Sequence, residues 1–229
     1  MTLQSRTILN QELSDLNAHI LKLTDMVDAA VEQAMEALTT RNVALAQAVI
    51  SDDDQINLLR FEIEEECLRI LATQQPFATD LRTTITAMHL ATELERIGDH
   101  ASGIARLVER MADEPEIDSL HKLPKMAKRS RRMLRESIDA YLNADSEIAI
   151  AMVKRDYKLD QQYHKVVRET LNEMRDDDYI RRATYLLWVG HNLERIGDRA
   201  TNIAERVIFM TTGQFVENIL TMEDDLPGI

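Results

Sequence analysis

Residues that break regular structure are scarce: the 229-residue sequence has six glycines and four prolines. An all-β sandwich or barrel needs a turn signal roughly every ten residues, so that class is excluded. Aromatics are sparse at 4%, and Ala, Leu, Glu, Arg and Met, all good helix formers, take their place. One cysteine, Cys67, excludes an internal disulfide and a cysteine-based zinc site, and reads as a small core residue. No apolar run of about 18 residues occurs and Met1–Asn10 lacks a signal-peptide core. The expectation is a soluble, cytosolic chain with no direct membrane insertion. Positive charge is also in deficit: 27 Lys and Arg against 40 Asp and Glu leave a net charge of −13. Such a field repels phosphate backbones and anionic lipid surfaces, which argues against nucleic acid as a partner. Cations and basic protein surfaces are what it attracts.

What is present is helical. Leu9, Leu13, Leu16, Ile20, Leu23, Val27, Ala30 and Ala34 step in an unbroken heptad seam, as do Leu90, Leu94, Ile97, Ala101, Ile104, Val108 and Met111. The few breakers mark boundaries. Pro115 and Pro124 flank the stretch 114–123 near the midpoint, which reads as a linker, and Pro76 interrupts the first half. The acidic run Asp176–Asp178 suits a helix start in the second half. Helices are predicted at about 5–40, 42–74, 78–113, 119–143, 145–175 and 178–213, with Asn42 and either Asn143 or Asp145 as N-caps. The chain is thus expected to be all-α: two tandem, pseudo-symmetric three-helix bundles, 1–114 and 115–229. Their helices are up to about 50 Å long, and the tail from Gln214 is acidic and weakly patterned.

The halves are related by duplication. Residues 94–99 read LERIGD, and 193–198 repeat it at an offset of 99. HASGIARLV follows the first copy and RATNIAERV the second. On a helical wheel Glu95 and Asp99 fall together, at roughly 100° and 140° from Leu94, well off the apolar seam. Glu194 and Asp198 do the same. Like charges at i and i+4 destabilise a helix slightly, and a bound cation is the simplest benefit that offsets a repeated pair. If helices two and three fold back near 75–76, Asp53 and Asn57 come level with Glu95 and Asp99. In the second half Asp156 and Asp160 come level with Glu194 and Asp198. Which way these side chains point is not given by spacing. An oxygen-rich donor set suits magnesium, calcium, manganese or iron, and disfavours copper.

Plainer readings stand beside this one. An isolated E-x-x-x-D is ordinarily a solvated face. Gly98 and Gly197 serve close helix packing as readily as a site, and Arg96 and Arg195 are read as projecting away from the carboxylates. Of the histidines, only His191 shares a face with a carboxylate pair. No Ser/His/Asp set, phosphate loop or H-E-x-x-H motif occurs, and the E-x-x-H pairs of di-iron bundles are absent, so no catalytic residue is assigned. Lys122–Arg135 is a local basic exception, either a solvated face or a dock for an acidic partner or a phosphate group. A carboxylate-rich metalloenzyme or metal-storage protein, and a passive helical scaffold without metal, are the alternatives.

QPFATDLR at 75–82, the duplicated LERIGD and NIAE at 202–205 together resemble the PhoU family of accessory regulators of bacterial phosphate uptake, from about Leu9 to Phe215. The resemblance implies two three-helix bundles and multinuclear metal sites built on E-x-x-x-D motifs. It carries over to Glu95, Asp99, Glu194 and Asp198. With Asp53, Asp156 and Asp160 added by the folding argument, these are the expected ligands; the expected metals are iron, zinc, manganese or magnesium. Asp80 matches the family's P-x-A-x-D-L-R, whereas its repeat equivalent is Tyr179, so the two sites are not expected to be identical. The basic stretch is expected at the level of Asp25 and Asp28. The resemblance further implies a non-enzymatic negative regulator of the phosphate ABC transporter, with its ATPase and a membrane sensor histidine kinase as partners, and a homodimeric form.

Overall fold

The computed structural model describes residues 3–114, 120, 122–174 and 179–216. Seven helices follow in order: α1 Leu3–Thr40, α2 Val43–Gln74, α3 Thr79–Arg110, α4 Leu123–Leu142, α5 Ser146–Val153, α6 Tyr157–Glu173 and α7 Ile180–Thr212. No strand occurs among the described residues, and no described helix is long and apolar enough to cross a membrane. The linker residues 115–119, the acidic run Asp176–Asp178 and the tail beyond 216 lie outside the described residues, as does the expected boundary at 114/115.

Each half is an up-down-up bundle sealed by the heptad seams. Leu16, Ile20, Leu23 and Val27 of α1 and Leu90, Leu94, Ile97 and Ala101 of α3 are fully buried. Asn42 caps α2, its Oδ1 accepting from Leu45 N–H at 3.0 Å. α2 ends at Gln74 because the next residue is left-handed at φ 48° and Pro76 follows. Of the two N-cap options in the second half, Asp145 is the one used: it accepts from the Glu147 and Ile148 amides, and Asn143 instead closes α4. Pro124 belongs to the first turn of α4 and not to the linker, a position where its missing N–H costs nothing.

The helix predicted over 145–175 is in fact two. Arg155 Nε donates to Ala151 O at 2.9 Å, the carbonyl that the Arg155 amide would claim in a continuous α-helix. The backbone therefore tightens: Arg155 N–H turns to Met152 O and Asp156 N–H to Val153 O, bonds of 3₁₀ type that kink the arm.

The halves meet along α3 and α7, which run antiparallel about a local pseudo-twofold. Glu93 of α3 accepts from Asn202 Nδ2 at 3.1 Å and faces Arg199 Nη1 at 3.5 Å. At the equivalent place Asn192 of α7 puts Oδ1 3.0 Å from His100 Nδ1 and packs over Gly103. Toward the ends, Arg82 Nε donates to Met210 O at 2.9 Å, and its repeat counterpart Arg181 pairs with Glu114. A second seam joins α1 to α4. Arg131 grips Asp28 with Nε at 2.7 Å and Nη2 at 3.0 Å, and reaches Glu32 at 2.7 Å. Arg135 bonds Asp28 at 2.8 Å and Asp25 at 2.6 Å. The shift that carries Asp28 to Arg131 carries Glu32 to Arg135, so equivalent positions hold opposite charges and clasp each other across the axis. This is the level expected for the basic stretch.

Asp28 is nearly buried. Burial pushes its carboxyl upward, but the hydrogen bonds and charges of Arg131 and Arg135 outweigh it and hold the group below the ordinary carboxylate value. Its stabilisation is therefore complete above the unfolded value and is lost as pH falls through the depressed folded one. Breaking a buried pair costs about 3–5 kcal/mol. Both arginines are partly solvated, so Asp28→Ala is expected to cost about 2 kcal/mol and to lower Tm by roughly 5 °C in a thermal melt near neutral pH. As pH falls below the ordinary carboxylate value and through the depressed folded one, the two proteins should converge.

Candidate metal centre

The repeated carboxylates sit where one helix presses closest on another. A Cβ at Gly98 of α3 would lie 3.1 Å from Ile56 Cδ1 of α2 and 3.5 Å from Asp53 Oδ1. At Gly197 of α7 it would overlap Leu159 Cδ2 of α6 and touch Met133 of α4. The glycines are packing devices, and packing makes the site: with the helices this close, Asp53 and Asp156 are carried to the height of the E-x-x-x-D pairs.

In the second half Asp160, Glu194 and Asp198 bring carboxylate oxygens within 4.8 Å of one another. Asp156 adjoins them, raising their charge density. Two oxygens here are orphans: Asp156 Oδ1 and Glu194 Oε2 are buried without a hydrogen-bond partner. The nearest side-chain nitrogens to Glu194 Oε2, Arg195 Nε at 3.5 Å and His191 Nδ1 at 3.6 Å, complete no hydrogen bond to it. Burial raises the carboxyls of Asp156, Glu194 and Asp198. Asp160 pushes Asp156 up further, Asp198 does so for Glu194, and the Arg195 charge opposes the rise at Asp198. Buried carboxylate oxygens that lack a hydrogen bond and face like charges are what a hard cation satisfies.

The first half holds a looser version. Asp53 and Glu95 are also raised, by burial and then by Asp99. Asn57 stands where the second half has Asp160, and its Nδ2 donates back to Asp53 O at 3.1 Å. Among the described residues only Asp160, Glu194 and Asp198 meet the three-carboxylate spacing; Asp53 and Glu95 are part-buried and Asp99 is exposed, a more open group. All seven expected carboxylates thus fall in two clusters, and the difference between them lies at Asn57 against Asp160, not at Asp80 against Tyr179 as expected.

Other expectations divide. Arg96 does project away, pairing with Glu93 at 2.8 Å. Arg195 does not: its Nη1 donates to Asp198 Oδ2 at 3.0 Å, since a four-carboxylate cluster attracts the nearest cation that a three-carboxylate one leaves free. Asp80 joins neither cluster; it sits in the first turn of α3 and pairs with Arg6 of α1. His191 is half-exposed and its ring stays readily neutral, burial and then Arg195 lowering its pKa. Cys67 is fully buried and its thiol is pushed up to about 12, mainly by burial, so it is a core residue with no reactive thiolate.

Comparison with known proteins follows this geometry. The family model "PhoU domain" matches twice, over residues 20–108 and 123–207. A relative from Clostridium acetobutylicum is 35% identical over 215 residues, covering 93% of this chain and 98% of its own length. One from Pseudomonas aeruginosa is 37% identical over 212 residues, covering 92% and 88%. Both bear the name "Phosphate-specific transport system accessory protein PhoU homolog". The crystal structure of PhoU from Pseudomonas aeruginosa superposes with a TM-score of 0.85 at 37% identity, over 90% of this chain and 99% of that one. The phosphate transport system regulatory protein PhoU from Streptococcus pneumoniae superposes with 0.84 at 32%, over 91% and 99%.

The raised carboxyls set a pH dependence opposite to that of Asp28. Each binds its proton more tightly folded than unfolded, so their contribution falls as pH rises through the folded values. Metal-free protein is expected to gain thermal stability as pH is lowered from neutral through the raised folded values toward the ordinary carboxylate range. Glu194→Gln combined with Asp198→Asn should flatten that gain, as read by circular dichroism melts.

Proposed function

Because the chain belongs to the PhoU family, we propose that it is a metal-bearing, non-enzymatic adaptor that restrains phosphate uptake. Its partners in this reading are the ATPase of a phosphate ABC transporter and a sensor histidine kinase of the same signalling system. The observation that carries the metal part is the pair of orphaned, buried oxygens at Asp156 and Glu194 inside a repeated carboxylate cluster. Asp156, Asp160, Glu194 and Asp198 would hold the tighter centre, and Asp53, Glu95 and Asp99 the more open one. Bound there, iron, manganese, magnesium or zinc would supply positive charge to relieve carboxylate repulsion, and the residues holding it would come from α6 and α7 in one centre and from α2 and α3 in the other. The protein's own part is positional: rigid helices, brought close by Gly98 and Gly197, present two acidic faces of fixed spacing. Those faces suit a basic partner surface whether or not metal occupies both. An exposed apolar stripe of Leu58, Phe61 and Leu68 on α2 supports a homodimeric form, since the same face of α6 carries polar Gln161 and His164 at the first two positions.

Two measurements test this. Elemental analysis of the purified protein should find bound metal that is largely lost when Glu194, Asp198, Glu95 and Asp99 are changed together to Ala, with helicity retained. A pull-down from membranes of phosphate-replete cells should recover the transporter ATPase or the sensor kinase. Absence of both proteins in replete and starved cells alike would overturn the adaptor reading.

A further inference from the structure

The duplicated bundles share a cleft, and the second copy has gained positive charge. In the first half it lies between α1 and α2, has a volume of about 230 Å³, and is lined by Met26, Ala29, Asp52 and Gln55. Its counterpart lies between α4 and the kinked α5–α6 arm, has a volume of about 110 Å³, and is lined by Arg129, Arg132, Arg155 and Lys158. The shift that carries Ile56 to Leu159 carries each of the first four residues onto the second four in order. These four neutral or acidic positions have become cations, whereas Gln33 has become Glu136, in a chain whose net charge is −13.

These cations are not absorbed by the contacts that use the rest of the basic stretch. Arg131 and Arg135 serve the clasp to α1, on another face of α4. Within the cleft the single carboxylate is Glu136. It stands 3.6 Å from Arg132 Nε and 3.5 Å from Arg155 Nη2, both longer than a charge-assisted hydrogen bond. It spaces the two guanidinium groups across the opening and leaves most of their N–H donors unused. Arg129 and Lys158 have no carboxylate partner among the described residues. Lys158 occupies the first turn of α6, the end at which the helix dipole disfavours a cation, and Asp156 at the N-cap makes no side-chain capping bond there. The kink at Lys154–Asp156 faces Arg155 and Lys158 into one opening.

We infer that this cleft is a binding site for one small tetrahedral oxyanion of the phosphate type. Three guanidinium forks and an ammonium converging around one carboxylate leave a local excess of positive charge, and guanidinium geometry matches phosphate oxygens in bidentate pairs. The size selects a free ion: sites for drug-sized or nucleotide ligands run to about 300–1,000 Å³. Phosphate held here bridges α4 to the α5–α6 arm, so its arrival changes the stiffness of the arm that carries Asp156 and Asp160. The inference is independent of metal occupancy and of which membrane proteins the chain meets.

The test is a titration of inorganic phosphate into the full chain, followed by ³¹P NMR and calorimetry, with and without prior chelation. Saturable binding in about the micromolar to millimolar range is expected in both forms. Arg129→Ala combined with Arg155→Ala should weaken it about tenfold or more, while Lys125→Ala combined with Lys128→Ala, the same charge loss outside the cleft, stays within about twofold. Glu136→Gln removes the competing carboxylate and should tighten binding about threefold, a gain that a damaged fold cannot produce. The inference is overturned if binding is absent, if the arginine pair leaves it within twofold, or if it disappears on chelation and with Glu194→Gln, which would put phosphate on a metal instead. An acidic peptide such as poly-glutamate that binds the cleft while phosphate does not would overturn it as well.

Discussion

The candidate centre depends on the close approach of α2 to α3 at Gly98 and of α6 to α7 at Gly197. Neither glycine has an unusual backbone; each is simply the position where a side chain would strike Ile56 or Leu159. Glycine inside a helix costs about 1 kcal/mol relative to alanine. What offsets it is the burial of Ile56 and Leu159 and the short distance between helix axes. That distance is what sets Asp53 beside Asp99, and Asp156 and Asp160 beside Glu194 and Asp198. Were the helices spaced as ordinary leucine-lined neighbours are, the acidic residues would be separate solvated groups.

Around these contacts the duplication has diverged in charge more than in shape. The pseudo-twofold is preserved in hydrogen bonding, with Glu93 against Asn202 on one side and Asn192 against His100 on the other. The α1–α4 seam shows the next step. Asp28 and Arg131 are equivalent residues that meet near the axis, and a like-charge pair there would repel. Opposite charge at Asp28 and Glu32 against Arg131 and Arg135 turns that meeting into a clasp. The two clefts carry the same principle into solvent-facing positions, where no intramolecular contact demands it.

Much of this was legible in the linear chain. The heptad seams of α1 and α3 located the core, because burial of one helix face imposes its period on the sequence. The LERIGD repeat gave the duplication; unequal sites were expected from Asp80 against Tyr179, but Asp80 joins neither cluster, and the difference lies at Asn57 against Asp160. The break between α5 and α6 left no such trace. No proline or glycine marks it, and it arises from Arg155 turning its guanidinium onto the Ala151 carbonyl. Arg195 was misjudged for a related reason: a wheel gives the direction of a Cβ, whereas a long flexible side chain goes where the summed charge draws it. Arg155 and Lys158 were overlooked as partners of the basic stretch because they come from another helix.

By itself, then, the order of residues determined the class, the helices, the internal duplication and the identity of the acidic and basic groups, since propensity and periodicity are local properties of the chain. Tertiary structure alone decided which groups share a space. That outcome rests on helix separation, on crossing register and on a one-turn kink. The first two are set by side chains such as Ile56 and Leu159 fitting against residues far away in sequence, and the kink by where the Arg155 guanidinium turns, conditions that no local pattern records.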